Sequence, residues 1–484
     1  MSISSALSNA LSGLTANARA VSVVSDNLAN MHTEGYGRRE IGLMSNQHGS
    51  SGGVRVVGIT RHVDAAVLGD RRMAQSELGH AETHTAFIAG IQSVIGTPDQ
   101  VGSLSARITA FEASLITAAS RPDAQDRLQA VSMRGFELAA TFAGVSDDIQ
   151  GRRQAAEGAI AVGVETVNAA LEQVQDLNRQ ILSSRMRRGD TASLEDHRQI
   201  VIDRIAEYIP VREVPRDNGS IALMTPGGAT LLDGSVARLG FERSNVIMPH
   251  MTLENGLLSG LTLNGEVVAA SGGRSPLNGG RLSAFFEVRD ALALDAQTQI
   301  DALARDMIER FQDSGVDTTL AMGQAGLFTD AGNVFAALDE VGIAARIELN
   351  PLVDLGQGGD LRRLRDGLGA AVPGPTGEAA LLNAMAEALS SRRALASGDL
   401  GNGAGSVSAH VGSLASRLGQ QQMTAEGAAS FARASTVEMQ ERLLENGVDS
   451  DVETQRLLLI EQAYSANARM IQTLDEMMQT LLRI

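Results

Sequence analysis

The chain has 484 residues, 43% of them hydrophobic and 20% charged, the composition of a globular protein with roughly two to four domains. A formal net charge of −17 repels phosphate backbones and argues against general nucleic-acid binding, while the absence of Cys excludes disulfides, thiol catalysis and Cys-ligated zinc. Aromatic residues make up only 3%, with no Trp, so the core must be built from Leu, Ile, Val, Ala and Met, which suits packed helices. There is no Lys, so the 40 basic residues are all Arg.

The first residues, Met1-Ser-Ile-Ser-Ser-Ala-Leu, carry no basic residue before Arg19 and no apolar block. No cleaved Sec-type leader is therefore expected. No stretch approaches the ~20 uninterrupted apolar residues needed to span a bilayer. Leu7, Leu11, Leu14, Ala18, Val21, Ser25 and Leu28 then recur at alternating steps of four and three, which predicts an amphipathic helix with a heptad seam. It should stop near Asn30, where His32-Thr-Glu-Gly-Tyr-Gly loses the period. Val54 to Ile59 reads as a short strand.

Helices are expected over Arg71 to Ile95, Leu104 to Ala119, Asp123 to Arg185 and Leu194 to Tyr208, all rich in Ala, Leu, Gln and Arg. Ile209 to about Gly280 holds Pro210, Pro215, Pro226, Pro249 and Pro276 with short alternating runs, which predicts a β-rich insertion. Helices resume over Leu282 to Phe311, Ala379 to Leu395 and Val407 to Leu444, with an irregular segment from Ser314 to Pro375. The last helix should start near Asp449 or Ser450. It carries one row at Ile460, Ala463, Asn467, Met470, Leu474, Met477, Leu481 and Ile484, and a second at Leu457, Tyr464, Ile471 and Met478.

An amphipathic helix at each end needs a cover for its apolar stripe, and the simplest cover for each is the other. The C-terminal band is wider than one partner helix can bury, so part of it should remain open until neighbouring subunits close over it.

Other chemistry is weakly signalled. His80-Ala-Glu-Thr-His84 places two imidazoles at i and i+4, a spacing that can grip zinc. Ala81 stands where the zincin pattern needs Glu, so these read as solvated surface histidines. The remaining histidines (32, 48, 62, 197, 250 and 410) show no ligand spacing. Gly401-Asn-Gly-Ala-Gly and Gly356-Gln-Gly-Gly lack the strand, the helix and the Lys of a phosphate cradle and read as loops. No catalytic residue, cofactor site or metal site is predicted.

The wording of the two ends is more specific. Ser12-Gly-Leu-Thr-Ala, Ser25-Asp-Asn-Leu-Ala-Asn and Thr33-Glu-Gly-Tyr-Gly-Arg-Arg resemble the N-terminal signature of the flagellar rod, hook and hook-associated proteins. Met31-His32 departs from that family's usual spelling of the turn. Gly447-Val-Asp-Ser-Asp-Val-Glu, Tyr464-Ser-Ala-Asn-Ala-Arg and Ile471-Gln-Thr-Leu-Asp-Glu-Met resemble its C-terminal signature. Gly35-Tyr36-Gly-Arg38-Arg39-Glu is similar to the form found in the hook-associated protein 1 (FlgK) branch. So are Leu194-Glu-Asp-His-Arg-Gln-Ile-Val-Ile-Asp-Arg-Ile-Ala, Asn218-Gly-Ser-Ile, Gly234-Ser-Val-Ala, Leu327-Phe328 and Gly280-Arg-Leu-Ser-Ala-Phe-Phe-Glu-Val-Arg-Asp.

The resemblance implies an extracellular axial protein of the bacterial flagellum, at the hook–filament junction, exported through the type III channel without a cleaved signal peptide. It also implies assembly with copies of itself, with hook protein and with the second hook-associated junction protein, after escort by a flagellar export chaperone. Neither nucleic acid nor membrane is an expected partner. Only about fifty residues separate Phe328 from the helix near Ala379, so the outer domain of larger members should be reduced or absent.

The expected fold is mainly α with a β-rich insertion, a nested multidomain chain whose N- and C-terminal helices form a coiled pair. Residues 1–70 with 440–484 would form the inner unit, 71–208 with 281–439 a helical body, and 209–280 the insertion. The expected assembly interface comprises Leu7, Leu11, Leu14, Val21, Leu28, Ile460, Tyr464, Met470, Ile471, Leu474 and Leu481. Asn30, Gly35 and Tyr36 would shape the turn below the first helix. Two other readings are a hook or distal-rod protein and, from a different class, an extracellular enzyme on a helical scaffold. A phage or injectisome coiled-coil component is a more distant one.

Overall fold

The computed structural model describes residues 3–46, 52–401 and 403–483. Of the residues singled out above, Met1, His48, Asn402 and Ile484 lie outside those ranges. The chain opens with helix α1 (Ile3–Asn30), an antiparallel hairpin of β1 (Arg38–Ser45) and β2 (Val54–His62), then α2 (Ala65–Ile95), α3 (Leu104–Ala119), α4 (Gln125–Met186) and α5 (Ala192–Tyr208). Strand β1 was not foreseen, because Arg38-Arg-Glu-Ile-Gly-Leu-Met-Ser alternates too weakly to announce a strand.

Seven short strands follow in the proline-rich stretch. β3 (Arg212–Pro215), β4 (Ile221–Met224), β5 (Thr230–Asp233) and β6 (Ser235–Val236) form one antiparallel meander. β7 (Leu239–Gly240), β8 (Leu261–Leu263) and β9 (Glu266–Val268) form another. The chain returns to helix in α6 (Gly280–Glu287), passes through a π-turn over Val288–Leu292 and continues as α7 (Ala293–Gln312). The irregular segment carries β10 (Phe328–Asp330), α8 (Ile343–Arg346), β11 (Ile347–Leu349) and α9 (Arg363–Asp366). The last helices are α10 (Ala380–Ser390), α11 (Val407–Glu445) and α12 (Ser450–Leu482). The protein is thus mainly helical, with long terminal helices and small sheets.

Helix α4 organises the body. Its 62 residues span roughly 90 Å at 1.5 Å per residue, and it buries one stripe from Leu128 through Phe142, Ile160 and Val174 to Ile181. Its first half shares a core with α3, α7, α10, the start of α11 and the 327–368 segment. Phe111, Phe311 and Phe328 meet there edge to face, with centroids 5.3–6.0 Å apart. Its second half shares a separate core with α5, α6 and the two meanders, which are too thin to bury a hydrophobic face alone.

The two cores meet at a buried ionic knot. Arg289, placed by the π-turn, is paired with Glu157 at 2.6 Å, and both side chains are fully buried. Arg153 beside them donates to the carbonyls of Arg289 and Met251. Burying so much charge is tolerable only because each group has partners.

Among the described residues, no helix is long and apolar enough to cross a membrane.

Candidate functional site

Helices α1 and α12 pack along each other, as the terminal periodicities suggested, but α1 does so through a different face. The residues it buries are Ala10, Ala16, Ala20, Val23, Val24 and Asn27. Leu7, Leu14, Val21 and Leu28 are only partly buried, and Leu11 is 56% exposed. The close approach is visible at Gly13, where a Cβ would stand 2.9 Å from Asn467 Nδ2. On α12 the covered positions are Glu453, Leu457, Ile460, Asn467, Ile471 and Leu474, which draw on both expected rows. Tyr464, Met470 and Leu481 are 41%, 50% and 59% exposed, and Leu459 and Met477, which share a face of α12 with Met470 and Leu481, are exposed as well. An apolar band therefore runs along the pair without a cover.

Below the pair lies a joint built by the three segments whose wording was distinctive. Helix α1 ends as Asn30 O accepts from Thr33 N (2.9 Å), and a second turn closes from Tyr36 N to Thr33 O (3.2 Å). Asn30 adds a side-chain bond to Asp26 O (2.9 Å) and accepts from Thr33 Oγ1. Gly35 has φ +76°, and a Cβ there would lie 2.6 Å from Ile200 Cγ1 on α5, so both its backbone and its neighbour call for glycine.

The buried Asn27 carboxamide then clamps the hairpin. Its Nδ2 donates to Arg39 O, and its Oδ1 accepts from Arg39 N (both 2.9 Å) and from Tyr36 Oη (2.8 Å). Burial pushes the Tyr36 phenol up to about 12, with the nearby Arg39 guanidinium opposing the shift. That guanidinium lies 4.8 Å from the ring centroid.

Asp196 of α5 ties this turn to the body. One carboxylate oxygen accepts from Gly37 N (3.0 Å) and Arg61 Nε (2.6 Å), the other from Arg39 Nη2 (3.0 Å). The same hairpin holds the root of α12, where Arg38 Nε meets the fully buried Glu453 at 3.0 Å. Arg456 approaches Glu40 and Glu453 at 3.5 Å each. Asp449 starts α12 by accepting from Asp451 N and Val452 N. A cavity of about 440 Å³ lies between the turn and the α11–α12 corner, bordered by Met31, Tyr36, Arg38, Arg61, Leu443 and Val448.

Of the anticipated residues, Asn30, Gly35 and Tyr36 stand together at this joint, and Leu11, Tyr464, Met470 and Leu481 are exposed on the pair, whereas Leu7, Leu14, Val21, Leu28, Ile460 and Ile471 are partly buried and Leu474 is buried. Asn27, Asp196 and Glu453 carry the joint and were not singled out, although each sits inside a distinctive motif. Chain separation hid their partnership. The histidine reading needs correction: His80 and His84 are not solvated. Each is about one quarter exposed, and both point Nε2 at Glu287 Oε2, at 3.0 and 2.7 Å.

Residues 88–340 match the family described as the flagellar hook-associated protein FlgK helical domain. Residues 7–36 match the flagella basal body rod protein family, and 439–484 match the C-terminal region of the flagellar basal body rod FlgEFG proteins. Flagellar hook-associated protein 1 of Salmonella typhimurium is 29% identical over 246 residues, which cover 49% of this chain and 44% of that one. The Bacillus subtilis protein of the same name is 22% identical over 352 residues, 66% of this chain and 68% of its own. The chain thus matches less than half the length of its Salmonella relative. A solved structure of the flagellar hook junction protein FlgK from Burkholderia pseudomallei aligns with TM-score 0.41 at 20% identity, over 55% of this chain and 47% of that one. The helical-domain match alone takes in just over half of the sequence, and on that ground the chain belongs to the flagellar hook-associated protein FlgK family.

Proposed function

We propose that the protein is a structural subunit of the bacterial flagellum, joining hook to filament by assembling with copies of itself into a tubular layer. The observation that carries this reading is the uncovered apolar band on the α1–α12 pair, in a chain of the FlgK family. Exposed Leu11, Met470, Met477 and Leu481 are poor solutes on a free monomer and good packing surface for an adjacent subunit. In this reading residues 1–70 with 440–484 form the inner layer, 71–208 with 281–439 pack further out, and 209–280 insert into the body. Hook protein and the second junction protein are its neighbours along the axis. An export chaperone holds α12 beforehand, and the subunit leaves the cell through the type III channel.

Immunogold labelling of isolated flagella tests the location: label at the hook tip is expected. Label at the base would favour a hook or distal-rod subunit instead. The band is tested separately by Leu11→Asp and Leu481→Asp. Both sites are exposed, so the purified variants should unfold at the wild-type denaturant midpoint while failing to attach filaments in a null strain. Normal motility with attached filaments would remove the band from the assembly surface.

A further inference from the structure

His80 and His84 stand one turn apart on α2, with ring centroids 4.4 Å from each other. Both Nε2 atoms converge on Glu287 Oε2 at the end of α6, at 3.0 and 2.7 Å. One ligand atom from each of the three residues lies within 4.8 Å of the other two. His84 Nε2 is buried and, despite its short distance to the carboxylate, finds no hydrogen bond of acceptable geometry. Ser283 Oγ reaches the other carboxylate oxygen at 3.4 Å, the kind of outer contact that orients a metal-binding carboxylate.

We propose that His80, His84 and Glu287 form a divalent transition-metal site that staples α2 to α6, with zinc as the natural occupant. Two imidazoles and one carboxylate suit zinc and its first-row neighbours rather than calcium or magnesium, which prefer all-oxygen shells. A tetrahedral zinc with bonds of about 2.0–2.2 Å holds its ligand atoms roughly 3.4 Å apart. The two nitrogen–oxygen distances of 3.0 and 2.7 Å need to open by roughly 0.4 and 0.7 Å, the third separation already lies within 4.8 Å, side-chain rotation supplies both adjustments, and water completes the fourth position. Neither histidine has a role in the joint or in the apolar band, so this site is independent of the assembly reading.

The test uses the full chain without an affinity tag, stripped with a chelator and titrated with zinc against a chromophoric competitor. One equivalent per chain is expected. Affinity should fall roughly tenfold or more in His84→Ala and in Glu287→Gln, and stay unchanged in His62→Ala, whose imidazole lies elsewhere on β2. Cobalt in place of zinc should give the intense visible absorption of a four-coordinate site. That spectrum on wild-type protein decides the matter even if a variant fails to fold. Absence of a saturable one-to-one complex, or a His84→Ala affinity equal to wild type, would overturn the site and leave only two imidazoles packed against a carboxylate.

Discussion

Replacing Asp196 by alanine would leave the Arg39 and Arg61 guanidinium groups facing each other with their shared counter-charge removed, and the Gly37 N–H without its acceptor. Breaking one partner out of a largely buried ion pair costs about 3–5 kcal/mol, and Asp196→Ala should lower the unfolding free energy by the lower end of that range in a urea titration. Tyr36 gives a pH signature at the same joint. Its phenol is raised from 10.0 to about 12, so between those values the folded chain holds a proton that the unfolded chain releases. Stability from this group is complete below pH ~10 and is lost as pH rises through ~12. With only three Tyr in the chain, phenolate absorbance should show one step near 12 that Tyr36→Phe removes. The residues of the joint were partly legible. Gly35 and Tyr36 stood out as a turn, but nothing in a linear chain places residue 37 beside residue 196. The same limit hid Glu287 from His80 and His84.

At the level of elements, composition and the lack of breakers located the inner helices and apolar periodicity the terminal ones: α3 runs over Leu104–Ala119 as its composition suggested, and α12 starts at the Asp449 cap. Periodicity could show that α1 carries a stripe of large apolar residues, but not which of its faces meets α12. The face that wins carries Ala10, Gly13, Ala16 and Ala20 over its first two thirds, before Val23 and Val24, and small side chains there let two backbones approach closely and bring more atoms into contact. The leucines are then left for whatever lies outside. A bulkier side chain at the closest point should therefore separate the pair without touching the body. Gly13→Leu is expected to drive a Cβ into Asn467 and cost about 1–3 kcal/mol as overpacking does. Hydrogen exchange should then speed up along α1 and α12 but not along α4.

Across the whole molecule, α1 and α12 meet the rest of the chain mainly through the hairpin and its Asp196 and Glu453 anchors, whereas both hydrophobic cores lie between residues 87 and 418. A chain cut back to Asp64–Glu445, which leaves Asp196 without its partners, should accordingly still unfold in one cooperative thermal transition, with a midpoint lowered as in Asp196→Ala, and stay compact in solution scattering. Collapse of that fragment would mean the terminal pair supports the body after all. The division of labour reaches further through α4, whose buried stripe is continuous from one core to the other and is pinned at the Arg289–Glu157 knot. Load applied at one end of the body therefore has an unbroken helical path to the other, whereas its path to the terminal pair runs through the short hairpin.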